Sequence, residues 1–271
     1  MGGWAEPLAV ALWSVFALFG DCGDCKPAKL CPAHAKVEAD TLKSEKAAFQ
    51  SPDAAARCKA LERAAATTEA HANAPTKEMT HFVATGLADP SLRVRSAAAK
   101  LLASGQNADE AIKALTKAAA DAGKLLAQGG SKTLASKNPT EGEPTVQACA
   151  TEVFQALAHY RDDRAVEALA DVLRKLPYDQ RFAPHAHAIV EGLATLGARN
   201  GLDAIIEIIR QYEGYGTGKP YHESLVQMCT AKHLANPPDF KGTGTAAAWQ
   251  DFFDKHSKEL PAKLGKLDST P

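Results

Sequence analysis

LAHYRDDRAVEALADVLRK, residues 157–175, and LATLGARNGLDAIIEIIRQ, residues 193–211, are the stretches that decide how this chain folds. They align without a gap at an offset of 36 residues, so that Leu157 meets Leu193, Ala158 meets Ala194, Val166 meets Leu202, Leu169 meets Ile205, Leu173 meets Ile209 and Arg174 meets Arg210. In both copies one helix ends near the Leu-Ala pair, a polar turn follows and a second amphipathic helix begins. Val166, Leu169, Val172 and Leu173 step by three and by one, the spacing of a single buried helical face. One such pair cannot bury its own apolar stripe, but neighbours stacked on it can.

Working outward, an earlier unit reads DPSLRVRSAAAKLLASGQNADEAIKALTKAA from Asp89. Asp89 is expected to cap a helix, Pro90 to take its first position, and the turn at Gly105–Asn107 to lead into the next helix. The residues Asp89, Pro90, Val94, Arg95, Ala98, Ala99, Leu102, Gly105, Ala111, Ile112 and Leu115, with Asp163, Arg164, Ala165, Val166, Ala168 and Leu169 in the later unit, carry a likeness to a known family. Between Pro75 and Tyr212 the chain resembles the HEAT-repeat family, in the short form also found in bilin-lyase-type proteins. That resemblance implies an all-α, right-handed α-solenoid of four to five stacked antiparallel helix pairs. It also implies that charged residues of the second helices, Glu167, Asp171, Arg174, Asp203, Glu207 and Arg210, line a concave surface that meets a partner.

The helical domain is expected over residues 51–260. Residues 51–72 and 75–88 form a degenerate first pair, further pairs occupy 90–128, 145–176 and 182–212, and two more helices follow, from Tyr221 and from Ala246. Trp249, Phe252 and Phe253 are expected to close the end of the stack. The stretch 128–144, rich in Gly, Ser and Pro, reads as an inserted polar loop, and 261–271 as a flexible tail. Composition agrees with helices: 45% of residues are hydrophobic but only 6% aromatic. With 31 basic and 32 acidic residues the chain lacks the cationic excess of a nucleic-acid binder.

Residues 1–21 contain a twelve-residue apolar run, Leu8 to Phe19, broken only by Ser14. That is too short to cross a bilayer and has the length of an export-signal core, although no Lys or Arg precedes it and Glu6 does. An exported protein, periplasmic, envelope-held or secreted, is therefore expected, with a cytoplasmic one as the alternative. The leading segment 22–50 holds Cys22, Cys25, Cys31 and His34. A zinc site lacks a well-separated second pair of ligands, and haem attachment fails because Lys26 stands where His is needed. Cys22, Cys25, Cys31 and Cys58 are left as disulfide or lipid-anchor candidates, Cys31 with Cys58 among the pairings.

Chemistry is otherwise hard to find. His222 opens an H-E-x-x-H-like run, but Val226 stands at the second ligand position. GYGTGKP, 214–220, lacks the Walker glycine, since residue 213 is Glu, and its Ser/Thr, since residue 220 is Pro. His185 and His187 diverge on a helix and are expected as surface or capping residues, whereas Cys229 and His233 share a helical face without further ligands. No catalytic, cofactor or metal residue is expected. The expected function is a non-catalytic scaffold that binds a protein partner. A bilin-lyase-type chromophore-handling protein and a structural envelope lipoprotein, attached to a membrane by its N-terminus, are the alternatives.

Overall fold

Small polar side chains decide where several of the helices begin. Thr76, Asn107, Thr145, Asp162 and Thr245 each accept a hydrogen bond from a backbone N–H two or three residues on, satisfying donors that a helix start leaves free. The computed structural model describes residues 32–69, 76–104, 107–128, 144–177, 183–213, 219–238 and 245–265. Its α-helices are α1 (Pro32–Ala48), α2 (Ala54–Glu69), α3 (Lys77–Thr85), α4 (Leu92–Ala103), α5 (Ala108–Ala127), α6 (Val146–His159), α7 (Asp163–Lys175), α8 (Ala183–Leu196), α9 (Arg199–Tyr212), α10 (Lys219–Ala231) and α11 (Ala246–Lys255). A 3-10 turn, Gly86–Ala88, follows α3, and there is no strand among the described residues. The chain is all-α.

The helices pack in two interleaved series. α2, α4, α6, α8 and α10 each lie against the next in that order, and so do α3, α5, α7, α9 and α11. The two series meet along one continuous apolar cluster, in which Leu61, Leu102, Leu115, Phe154, Leu169, Ile205 and Trp249 are all fully buried. Each such side chain contributes about 1.5–3 kcal/mol through removal from water. The aligned pairs at the 36-residue offset take equivalent places: Leu157 and Leu193 are buried near the ends of α6 and α8, and Leu169 and Ile205 in the middle of α7 and α9.

Some expectations are changed by the structure. Part of the leading segment is itself helical: α1 packs on α2 and α3, and Glu45 holds Arg63 of α2 at 2.6 Å. α4 begins at Leu92 rather than Pro90, with Ser91 at its cap position and the Asp89 carboxylate bonded on two sides just before it. Arg57 of α2 grips it at 2.8 and 2.9 Å, and the Ser91 N–H bonds it at 2.8 Å. The tail is not free at its start. Leu260 is buried, and residues 261–265 lie across the beginnings of α9 and α7, tied to both by hydrogen bonds. The expected inserted loop falls almost wholly outside the described residues, as do residues 1–31.

Candidate functional surfaces

The six charged residues expected to meet a partner all lie on the outer sides of α7 and α9. The structure shows them bound mainly to one another and to their neighbours. Arg174 reaches across from α7 to Glu207 of α9 at 2.7 Å, Lys175 pairs with Asp171 at 2.6 Å, and Arg199 bridges Asp203 at 2.8 Å and Asp254 of α11 at 2.7 Å. The Glu207 carboxylate raises the Arg174 pKa through that hydrogen bond. Glu167 and Arg210 are exposed. This face is a lattice of ion pairs stitching α7, α9 and α11 together. A partner would have to exchange those pairs for its own.

The opposite series offers a more open surface. A groove of about 700 Å³ runs over the C-terminal halves of α6, α8 and α10. Small residues form its floor, Ala158, Ala188 and Gly192, with the exposed Ala231 at one side. Gly192 has to be glycine, since a Cβ there would lie 2.9 Å from the Ala158 Cβ, and its absence lets α8 sit close to α6. Gln155, Glu191 and Gln227 stand along the groove, one on each helix and all exposed. They are separated by the same 36-residue step as the buried pairs. Glu191 is touched only lightly by its own helix, by His187 at 3.3 Å. The sequence carried the signal for this ladder, because the offset applied to the first helix of each pair picks out all three residues.

A second groove, about 670 Å³, has a cause in helix length. α3 has 9 residues and α5 has 20, so the C-terminal half of α5 extends past the end of its neighbour. Ala114, Ala118, Ala122 and Leu125 of α5 form one wall, with Leu87, Leu92, Val146 and Val153 opposite. Arg95, Lys113 and Lys117 supply positive charge at the rim, against Glu110 and Asp121. Cys149 lies at its edge, 6% exposed. Burial pushes its thiol pKa up to about 11, so it stays protonated and is a poor nucleophile near neutral pH.

The histidines and thiols singled out from the sequence turn out mostly to belong to the core. His185 is buried, against the expectation of a surface or capping residue, and burial lowers its pKa; His187 is half-buried. His222 is buried too and accepts a hydrogen bond from the Trp249 indole N–H at 2.8 Å, which fixes the aromatic end of the stack. Burial lowers the His222 pKa, with Glu213 opposing. Cys229 and His233 do not share a face, because α10 ends at Ala231 and His233 turns out of it at φ 56°. Cys58, Cys149 and Cys229 are free, buried thiols; Cys22, Cys25 and Cys31 lie outside the described residues. Among the described residues no group of three or more His, Cys, Asp or Glu is placed to hold a metal ion, and no helix is long and apolar enough to cross a membrane.

No family model and no curated protein matches this chain. Two solved structures are similar to it. One is the crystal structure of an engineered protein, 17% identical, covering 84% of this chain and 99% of its own, with a TM-score of 0.37. The other is a de novo designed 16-helix transmembrane nanopore, 15% identical, covering 84% of this chain and 64% of its own, with a TM-score of 0.17. At those scores neither bears on function.

Proposed function

We propose that this protein is a non-catalytic HEAT-like solenoid scaffold that binds an extended segment of a protein partner along the α6–α8–α10 groove. The observation that carries the reading is the ladder of Gln155, Glu191 and Gln227, three exposed polar side chains on successive equivalent helices above a floor of small residues. Neighbouring helix axes lie roughly 8–10 Å apart, and an extended peptide advances about 3.3 Å per residue, so every third residue of a bound strand meets one rung. Amide and carboxylate rungs suit main-chain and polar side-chain groups, and the alanine and glycine floor admits a backbone closely. The α7–α9 face, with Glu167, Asp171, Arg174, Asp203, Glu207 and Arg210, is the weaker candidate because four of the six, Asp171, Arg174, Asp203 and Glu207, are held in ion pairs that a partner would have to replace. The apolar run in residues 1–21 supports a place outside the cytoplasm or at the envelope for the mature scaffold.

The test is selection of a displayed random-peptide library on the full-length protein, repeated on Glu191→Lys with Gln227→Lys and on Arg174→Glu with Arg210→Glu. The groove reading expects an enriched motif that the first double variant loses and the second keeps. Enrichment that survives Glu191→Lys with Gln227→Lys sinks it. A second reading, a chromophore-handling protein, is favoured by one observation, the apolar α3–α5 groove of about 670 Å³ with Arg95, Lys113 and Lys117 at its rim. That is the size of a small-molecule site and has charges suited to carboxylates. Titration with a linear tetrapyrrole should then shift the pigment's absorbance, and Ala118→Trp should abolish the shift.

A further inference from the structure

The groove over α6, α8 and α10 has two unlike edges. One carries the rungs Gln155, Glu191 and Gln227. The other, at the C-terminal ends of the helices, carries Arg161, which follows α6, and Lys232, which follows α10 directly. Apart from His159, the last residue of α6, Arg161, Lys232 and Glu191 are the charged side chains that line the groove. Two cations therefore stand against one acid, in a chain whose formal net charge is −1. Glu191 already has His187 beside it at 3.3 Å.

Lys232 is held where it is by the neighbouring helix. Gly197, just past the end of α8, adopts φ 64°, the left-handed conformation that commonly ends a helix. A Cβ there would collide with the Lys232 Cε and stand 3.0 Å from its Nζ. The lysine stem thus crosses the bare Cα of Gly197, and the ammonium rests at the end of α8 instead of reaching out from α10. Among the described residues five Lys or Arg side chains are half-buried: Arg57, Arg95, Arg164, Arg199 and Lys232. Arg57, Arg164 and Arg199 are paired with carboxylates, and Arg95 donates to the Asp89 carbonyl. The Lys232 ammonium has neither a carboxylate nor a carbonyl partner among the described residues, and nor has the exposed Arg161 guanidinium. A charge partly withdrawn from water and left without a counter-ion gains most from an anionic ligand.

We propose that the segment bound in this groove is acidic, with two carboxylate side chains two residues apart that pair with Arg161 and Lys232. This rests on the groove reading above and names the class of segment that the groove takes. The Arg161 side chain starts from the end of α6, and the Lys232 ammonium lies at the end of α8, the next helix of the series. One helix step is roughly 8–10 Å, and two residues of extended chain span about 6.5–7 Å, a difference that two long side chains absorb. Side chains of an extended segment alternate, so one row faces the cations while the other faces Gln155, Glu191 and Gln227. Amide or basic side chains suit that second row.

The experiment repeats the displayed random-peptide selection on full-length protein carrying Arg161→Glu with Lys232→Glu. The peptide most enriched on the unmutated protein is then labelled and its binding read by fluorescence anisotropy. The unmutated protein should enrich Asp or Glu two residues apart, and the charge-reversed protein Lys or Arg at those places. Lys232→Gln, which keeps a stem over Gly197, should weaken the labelled peptide about tenfold. Gly197→Ala, which pushes the lysine off the end of α8, should weaken it as much, and the two together little more than either. Should the charge-reversed protein lose its helicity, Lys232→Gln and Gly197→Ala carry the test. An enriched motif without paired acids overturns the acidic reading; the groove reading survives if Glu191→Lys with Gln227→Lys removes that motif. Paired acids whose binding ignores Lys232→Gln also overturn it. So does displacement of the peptide by a uridine oligonucleotide or by phosphatidylserine vesicles at equal charge, since the cations would then be an unselective anionic contact. A selection that enriches nothing sinks both readings together.

Discussion

The α1–α5 end and the α6–α11 end of this molecule solve the same packing problem with different materials. From α6 onward the helices repeat at a nearly constant length, 13 or 14 residues from α6 through α10, and the core is made of large side chains, Phe154, Ile205, Ile209, Trp249 and Phe253. Toward the N-terminus alanine dominates: Ala60, Ala64, Ala98, Ala99, Ala111 and Ala119 are fully buried, and helix lengths vary from 9 to 20 residues. Alanine allows close approach but gives little apolar area per residue. There, part of the stabilisation comes from clamps between helices, Arg57 to Asp89 and Glu45 to Arg63. The groove over the regular helices carries exposed amide and carboxylate side chains, whereas the one beside the unequal helices is walled mainly by alanine, leucine and valine.

The sharpest way to break this contrast is Trp249→Ala. The indole is fully buried, packs at 5.5–5.8 Å from Phe252 and Phe253, and donates to His222. Its loss should cost about 3–5 kcal/mol in urea unfolding. The His222 acceptor left behind in the core adds to that cost, so His222→Leu in the Trp249→Ala background should recover part of it. Asp89→Ala makes the corresponding cut at the other end. It leaves a guanidinium with a side chain only 12% exposed and removes a turn acceptor for Ser91, and should cost about 2–4 kcal/mol. A cost below 1 kcal/mol would show that alanine packing alone carries the N-terminal end.

The 36-residue offset in residues 157–211 was enough to place α6 through α9, because large apolar residues recur there at helical spacing. Helix starts were harder to read. Asp89 looked like a cap, but its partner Arg57 lies 32 positions away in sequence, and only the packing of α2 on α4 brings them together. His222 and His185 looked like surface chemistry because a polar side chain says nothing of its depth when its neighbours are on other helices. The charged face of α7 and α9 was legible, but not that its members are one another's partners. The ordered start of the tail, residues 261–265, was hidden for a simpler reason: so short a stretch has no periodicity, and its hydrogen bonds to α7 and α9 are made by its backbone.

Two substitutions one residue apart sharpen the role of helix length. Ala119 is fully buried on α5, whereas Ala118 faces the α3–α5 groove. Ala119→Phe should cost about 1–3 kcal/mol by overpacking, while Ala118→Phe should change stability by less than about 0.5 kcal/mol. Equal costs would mean that the groove is already closed. Acid should separate the two ends next. Both histidines with lowered pKa values, His185 and His222, lie on α8 and α10. Above about pH 6.5, the unfolded value, both are neutral whether folded or unfolded and their contribution is fully present. As pH falls from there toward the lowered folded values, the unfolded chain binds protons that the folded chain refuses, and stability is lost. The unfolding midpoint should therefore drop below pH 6.5, with hydrogen exchange rising first in α8 and α10, and His222→Gln should flatten the slope.

The smallest effect belongs to the feature that first seemed functional. Arg174 and Glu207 make a bidentate pair, but their side chains are 45% and 46% exposed, so water and salt screen the attraction and two long side chains must be ordered to form it. A double-mutant cycle with Arg174→Ala and Glu207→Ala should give a coupling of about 0.2–1 kcal/mol, falling as salt rises from 0.05 to 0.5 M by the ordinary shortening of the screening length. The buried clamp at Asp89 should show several times that coupling with Arg57 and little response to salt. Two ion pairs of similar geometry, 2.7 and 2.8 Å, would then differ in strength because of depth alone. A weak, salt-sensitive pair on α7 and α9 is also one that a charged partner could open at little cost. A coupling above 2 kcal/mol at Arg174–Glu207 would close that face to partners and leave the α6–α8–α10 groove as the surface to test.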